Sequence, residues 1–455
     1  MSNVDPQDIY HDGKWFSRSG DALNTVLNPR DASIDSFGRN RVSLPSIVFE
    51  QNFSQAPADP IWEKTAYGSG TLSNTANAGT TSLTTIAAAS GSGYWIQSYA
   101  PIRYMPGIST LCRFTFTFAT LVANLVQKVG MYSDQTRSSS APGLVGDGLY
   151  VEANGTTVNL VLRNYLGGAT TEVKVPQSQW SLDHMDGTGP SKYNINWAIP
   201  QHFILEFQYL GVGVIRMGWN TPYGLVWCHE FSSVNSFTTP YARTGSFPLS
   251  AEIYTTSTGV AASTLQLINT VVLQERDGSM NRGWRYFSGN SGTTICTPGT
   301  ANALYPILAL RALLTNDFTK RATFIPVDGT ITVAVPATGS TTLQWALLAA
   351  PTPMTGATFG ITPAPSSVIE LDQGAAEATA VTGEILFSGT LPNVVGTYQL
   401  DFKFKDDNQI KVAQNAAGTL TITGMNVLVL AVGSLTGTCT VAPGVVGSLV
   451  WKEIV

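Results

Sequence analysis

The residues able to do chemistry are few and dispersed. Cys228-His229-Glu230 sets three ligand types in succession. In a strand, however, Cys228 and Glu230 share one face while His229 points to the other, so the three do not converge on one ion. Asp183-His184-Met185-Asp186-Gly187 places carboxylates beside an imidazole, the parts of an acid/base pair. It runs straight into Gly187-Thr188-Gly189-Pro190-Ser191, a turn-rich stretch in which such side chains bond the local backbone. Gly211-Val212-Gly213 continues into Arg216 and strand-like residues, not into the helix N-terminus that a dinucleotide phosphate needs. Lys405-Asp406-Asp407-Asn408 lacks the ligand spacing of a calcium loop and reads as a hairpin tip. The chain has four histidines and no G-x-S-x-G elbow to expose a serine nucleophile. A glycosidase carboxylate pair is defined by its separation in space and leaves no trace in sequence. The residues therefore predict no catalytic group, no metal, no cofactor and no enzyme.

The composition points the same way. Of 455 residues only 12% are charged, about half the ~25% usual in soluble proteins. Gly 43 and Pro 24 leave little room for long helices. A net charge of −5 with no run of Lys or Arg excludes a phosphate-backbone partner. Met1-Ser2-Asn3-Val4-Asp5-Pro6 carries neither a basic nor an apolar leader region. Apolar runs such as Val427 to Val432 fall far short of the ~20 residues that span a bilayer, so no membrane partner is expected. Cys112, Cys228, Cys296 and Cys439 form no C-x-x-C pair and read as free buried thiols of a chain made in reducing cytoplasm. The tryptophans from Trp62 to Trp451 sit mostly on alternating or apolar segments, which favours core or subunit interface over a sugar-stacking platform.

The elements that must position these residues are strands. In Arg113-Phe114-Thr115-Phe116-Thr117-Phe118 every second residue is Phe, which puts three rings on one sheet face. Leu149, Val151 and Ala153 precede Asn154-Gly155, and Val158, Leu160 and Leu162 follow it; Asn-Gly predicts a type I′ hairpin turn. Phe203 to Tyr209, Val214 to Trp219 and Leu225 to Phe231 continue the pattern between turn signals. Ala303 to Leu314 is rich in Ala and Leu, but Pro306 favours a buried strand over a helix. Thr330 to Val335 and Leu400 to Lys405 alternate again. The prediction is an all-β chain: an extended N-terminal docking arm (1–44), a large antiparallel jelly-roll/concanavalin-like sandwich (45–278), a Gly/Ser/Thr-rich linker (279–302) and a smaller C-terminal β-sandwich (303–455). Trp15 and Phe16 mark the arm as a docking element.

One segment carries a family likeness. Asp35-Ser36-Phe37-Gly38-Arg39-Asn40-Arg41-Val42-Ser43-Leu44-Pro45 resembles a D-x-F-G-R-x-R-V-S-x-P segment near the N-terminus of large bacteriophage virion structural proteins. Pieces around Trp180 to Ser191, Leu210 to Gly218 and His229 to Phe231 follow in the order that resemblance leads one to expect. It departs at Asn40, where an apolar residue is expected. The resemblance implies a non-catalytic building block of the virion, in the tail, baseplate or fibre, that joins other virion proteins and forms a homo-oligomer, a trimer first. Arg39 and Arg41 suit carboxylates on a neighbour, with Phe37 and Pro45 as apolar anchors and Gly38 between them. The same segment serves equally as the first strand of its own domain. Head decoration and adhesion to a host glycan stand as alternatives, and a capsule depolymerase comes behind them.

Overall fold

The structure, a computed structural model, describes residues 9–11, 14–19, 22–24, 45–58, 61–74, 78–87, 90–98, 101–134, 145–235, 238–275, 284–289, 303–312, 323–339, 342–352, 359–364, 367, 369–373, 380–402, 410–411, 427–435 and 443–454. It is all-β, and among these residues the one helical element is a single 3-10 turn, Gln177–Gln179.

Alternating apolar residues force two sheets face to face. The first has seven strands, in spatial order Ala169–Pro176, Thr157–Leu166, Gly148–Asn154, Leu125–Tyr132, Leu249–Thr255, Gly93–Ser98 and Trp62–Tyr67. The second has eight. Its order is Gly224–Phe231, Ile215–Thr221, Gln201–Phe207, Thr110–Thr117, Thr264–Gln274, Thr81–Thr84 and Thr71–Asn74, with Ser46–Asn52 pairing along the far half of Thr264–Gln274. Every pairing is antiparallel, and the long crossovers between sequence neighbours give the jelly-roll/concanavalin-like sandwich that the sequence predicts. Phe114 and Phe116 enter the shared core as the period of two requires, while Arg113 is exposed on the other face. Phe114 stacks on Phe203 at 6.1 Å, and Phe116 lies 4.7 Å from Phe118.

The hairpin at Asn154-Gly155 forms with a different turn from the one expected. Asn154 pairs with Thr157, so the two loop residues are Gly155 and Thr156. Gly155 has φ +62°, and Asn154 is absent from the positive-φ residues. A glycine at the first central position alone is the pattern of a type II′ turn, not of type I′. The register is set by the inward pairs Val151–Leu160 and Ala153–Val158, and the turn accommodates them.

The C-terminal sandwich consists of two five-stranded sheets. One runs Trp284–Gly289, Gly444–Ile454, Thr323–Val335, Gly396–Asp401, with Ile410–Lys411 also on Thr323–Val335; the other runs Ile369–Asp372, Tyr305–Ala312, Val427–Ser434, Thr342–Thr352, Thr382–Pro392. Within the Ala/Leu-rich stretch Tyr305–Ala312 is a strand, and Pro306 sits at its register shift, where a missing N–H is tolerated. Strand Trp284–Gly289 falls inside the stretch read from composition as linker. Within the N-terminal stretch, Ile9–His11, Lys14–Ser19 and Ala22–Asn24 form a three-stranded antiparallel meander.

The core makes a direct prediction. Phe116 is fully buried between the sheets, so Phe116→Ala is expected to lower unfolding free energy by about 3–5 kcal/mol, read by denaturant titration with an unchanged β-sheet circular dichroism spectrum.

Candidate functional site

Titratable groups converge on the outer face of the seven-stranded sheet, the face turned away from the eight-stranded one. Register alone assembles them. Lys128 pairs with Glu152 on one side and Glu252 on the other, and Glu252 pairs with Trp95. The neighbouring rows add Tyr150 beside Val161 and Lys174, and Arg163 beside Gly148 and Glu172. Because the inward positions are spent on Ile96, Val129, Val151, Leu160, Leu162 and Ala251, their neighbours Trp95, Lys128, Tyr150, Glu152, Val161, Arg163 and Glu252 must point outward. Gly130 stands in the Tyr150 row without a side chain; a Cβ there would lie 2.6 Å from the Tyr150 Cβ, so only glycine lets that ring lie across the sheet.

The face is closed. Lys128 is 2% exposed, and Glu252, Arg163, Trp95, Tyr132 and Tyr150 are 0–1% exposed. Lys128 Nζ lies 3.0 Å from Glu252 Oε2, and the Tyr67 hydroxyl donates to Glu252 Oε1 at 2.6 Å. Lys174 Nζ reaches both Glu152 oxygens at 2.9 and 3.0 Å and Glu172 at 3.1 Å, while the Tyr150 hydroxyl donates to Glu172 at 2.7 Å. Arg163 donates to the Ser133 carbonyl at 2.6 Å and lies 3.4 Å from Asp134, with its guanidinium over the rings of Tyr132 and Tyr150. Burial alone would push the Lys128 ammonium down; Glu252 and the surrounding tyrosines override it and hold the group well above its ordinary value. Burial likewise drives Tyr132 and Tyr150 well up and Tyr254 to about 12. Glu172 is half-buried, which works against its charge, yet the Tyr150 hydrogen bond and Lys174 pull it below the usual carboxylate range.

The acids of this arrangement are engaged. The two facing acids, Glu152 and Glu252, each engage partners with both oxygens, and a buried lysine stands in the row between them. An acid and a base working across a bond need one free oxygen each and a path for substrate. The sequence signal for this face was present in the outward positions of Leu125–Tyr132, Gly148–Asn154 and Leu249–Thr255, which read Lys, Tyr/Glu and Glu/Tyr. Reading each strand only for its apolar face passed over them.

The motifs singled out in the sequence lie elsewhere and are not brought together. Asp183 Oδ1 accepts the Met185 N–H at 2.8 Å and Oδ2 the Ser191 N–H at 2.6 Å; Asp186 caps Thr188. Both carboxylates organise the loop, as expected. Cys228-His229-Glu230 departs from its expected geometry. Met217 pairs with His229 and Gly218 with Trp227, which leaves Cys228 in a β-bulge. The extra residue reverses the parity, so His229 does not point away from Cys228: Cys228 is in the core, and His229 packs edge-on against Phe231 at 4.4 Å. His229 Nδ1 accepts the Ser181 N–H at 3.0 Å, and burial lowers its pKa to about 4. Cys112 and Cys228 are free and buried, with thiols pushed well up by burial. Among the described residues no group of His, Cys, Asp and Glu could hold a metal ion, and no helix is long and apolar enough to cross a membrane.

Trp62, Trp95, Trp180, Trp219, Trp227 and Trp451 are buried, and Trp197 and Trp345 are half-buried. Trp15 and Phe16 belong to strand Lys14–Ser19, and Pro45 is exposed just before Ser46–Asn52. Asp35, Phe37, Gly38, Arg39 and Arg41 lie outside the described residues, as does Lys405-Asp406-Asp407-Asn408.

No known family profile matches the chain, and no curated protein matches it. Solved structures similar to it include a Bacillus licheniformis β-glucanase, 13% identical over 52% of this chain and 100% of that one, with a TM-score of 0.34. A CBM2 module of the evolved Dit of Lactobacillus casei BL23 phage J-1 is 10% identical over 52% of this chain and 98% of that one, TM-score 0.34. A legume lectin-like domain from Entamoeba histolytica is 11% identical over 49% and 95%, TM-score 0.28.

Two predictions follow from the geometry. Lys128→Met leaves Glu252 buried beside an apolar group and should cost about 3–5 kcal/mol. Adding Glu252→Gln, which still accepts the Tyr67 hydroxyl, should recover part of that loss; denaturant titration of the two single variants and the double variant measures the coupling. For His229 the folded value of about 4 lies below the ordinary 6.5. The folded state therefore binds fewer protons between these values, so its contribution is complete above pH 6.5 and is lost as pH falls toward 4. His229→Gln should flatten that part of a stability–pH profile.

Proposed function

We propose that the chain is a structural component of a bacteriophage virion, in the tail, baseplate or fibre, that works by holding partners in place. The observation that carries this reading is the closed, internally neutralised face of the seven-stranded sheet. The densest cluster of acids, bases and tyrosines is spent on cohesion within the sandwich, with no oxygen of Glu152 or Glu252 left for a substrate. The resemblance of Asp35 to Pro45 to a virion segment supports the same reading.

In this reading the N-terminal stretch is the assembly element. Its meander contains strands of three, six and three residues, and among the described residues these pair only with one another. So small a sheet is marginal in water without something to pack against. A neighbouring virion protein, or a second copy in a homo-oligomer with a trimer as first expectation, supplies that surface, and the assembled protein resides in the virion.

The test is biochemical. Peptides of this chain should be found by mass spectrometry in gradient-purified phage particles, at a copy number divisible by the symmetry of one substructure. A chain lacking residues 1–44 should keep its cooperative unfolding yet fail to incorporate. Absence from particles, or normal incorporation of the truncated chain, refutes the respective part of the proposal.

A further inference from the structure

The two outer faces of the large sandwich are built differently. That of the seven-stranded sheet is buried and ion-paired. That of the eight-stranded sheet is closed at one end, where Leu182 packs on Leu111, Ile204 and Trp227, and Arg216 bonds Glu206 at 2.9 Å beneath the Trp227 ring. The other end is open. There the register sets Asn52, Asn269, Thr115 and His202 side by side on four adjacent strands. The next row is Glu50, Val271, Arg113 and Ile204. Glu50, Asn52, Asn269 and Arg113 are exposed; Thr115, His202 and Val271 are half-buried.

At the sheet margin this face sinks into a groove of about 570 Å³, walled by Glu50, Gln51, Asn52, Ser54, Gln55 and Asn269. That volume falls within the roughly 300–1,000 Å³ of small-ligand sites. Its walls are braced from within. The Trp62 indole N–H donates to Gln51 Oε1 at 2.9 Å, Gln51 Nε2 donates to the Asn52 carbonyl at 2.8 Å, and the Ser54 N–H donates to Asn52 Oδ1 at 3.0 Å. Fixed amides lose little entropy when a ligand arrives.

We propose that this open face, centred on the Asn52–Asn269 groove, binds a neutral saccharide chain. The lining decides the class. Four carboxamides and a hydroxyl wall the groove with one carboxylate, Glu50, and Arg113 stands in the same row beyond Val271. Opposite single charges at this open end favour neither a polyanion nor a polycation. The groove has one apolar wall residue, Val271, where a protein-binding hot spot needs aromatic or aliphatic anchors. His202 is held below its ordinary pKa by burial and by Arg113, so it presents a neutral imidazole to the same row. Adjacent strands stand about 4.8 Å apart, close to the length of one pyranose unit, so an extended chain along the row meets an amide, hydroxyl or imidazole at each step. The proposal stands apart from the virion reading: a saccharide face serves a fibre or a free protein alike.

Isothermal titration calorimetry of the full chain with cellohexaose, maltohexaose and chitohexaose tests it, with a heparin hexasaccharide as the polyanion control. At least one neutral hexasaccharide should give saturable heat, with a Kd that does not change as sodium chloride is raised, since no charge pairing is screened. Asn269→Ala and Asn52→Ala, both on exposed positions, should each weaken it by about tenfold or more. Tyr223→Ala, at an exposed turn away from the groove, should leave it unchanged. Heat from none of the neutral chains, equal affinity in the asparagine variants, or binding of heparin alone with strong salt dependence overturns the proposal.

Discussion

Lys128 holds the seven-stranded sheet to its shape. It is an ammonium group at 2% exposure on the central strand of that sheet, and removing such an ion from water costs several kcal/mol even after the surroundings relax. The cost is met only because Glu252 lies 3.0 Å away and is itself bonded by Tyr67. The same logic runs outward along the face. Lys174 serves Glu152 and Glu172 together, and Arg163 is supported by the Ser133 carbonyl and Asp134. Each group is tolerable because its neighbour is there, so the network stands or fails as a unit. A sheet carrying such a face has little freedom to slip, since a one-residue shift would turn four buried charges into the apolar core.

That constraint divides the labour of the large sandwich. A face whose charges are buried and ion-paired at low dielectric is held rigid. A face of exposed amides, solvated on the outside and braced from within at Gln51 and Asn52, is free to exchange water for a ligand. The inner faces supply cohesion of the ordinary kind, through rings such as Phe114, Phe116 and Phe203. The outer faces then differ in purpose: one stiffens the scaffold, and the other is left available.

How much of this the sequence discloses depends on parity. Where apolar residues alternate without interruption, as in Thr110–Thr117, face and register can be read directly from Phe114 and Phe116. Where a strand gains a residue, the reading fails locally. The bulge at Cys228 turns His229 toward Phe231, and nothing in Trp227-Cys228-His229-Glu230 announces it, because the extra residue is fixed by the partner Ile215–Thr221 and by the loop that bonds the Cys228 carbonyl. The ion-paired face was legible in part. Lys128, Glu152 and Glu252 each occupy an outward position, but their meeting depends on which strands become neighbours, and Leu125–Tyr132 and Leu249–Thr255 are separated by more than a hundred residues. Composition also blurred the boundary near 279–302. Gly, Ser and Thr surround Trp284-Arg285-Tyr286-Phe287, yet these four residues begin a strand.

That strand bears on how the chain is partitioned. Trp284–Gly289 pairs with Gly444–Ile454, the last strand of the chain, and Tyr286 stacks on the buried Trp451 at 6.2 Å. Among the described residues the C-terminal sandwich thus joins its first strand to its last within one sheet. The large sandwich likewise ends its pairing inside itself, with Ser46–Asn52 laid on Thr264–Gln274. Among the described residues the strands Ile9–His11, Lys14–Ser19 and Ala22–Asn24 pair with one another and with neither sandwich. If the protein assembles as proposed, a short sheet that pairs with neither sandwich among the described residues is the piece with most to gain from a surface supplied by another chain.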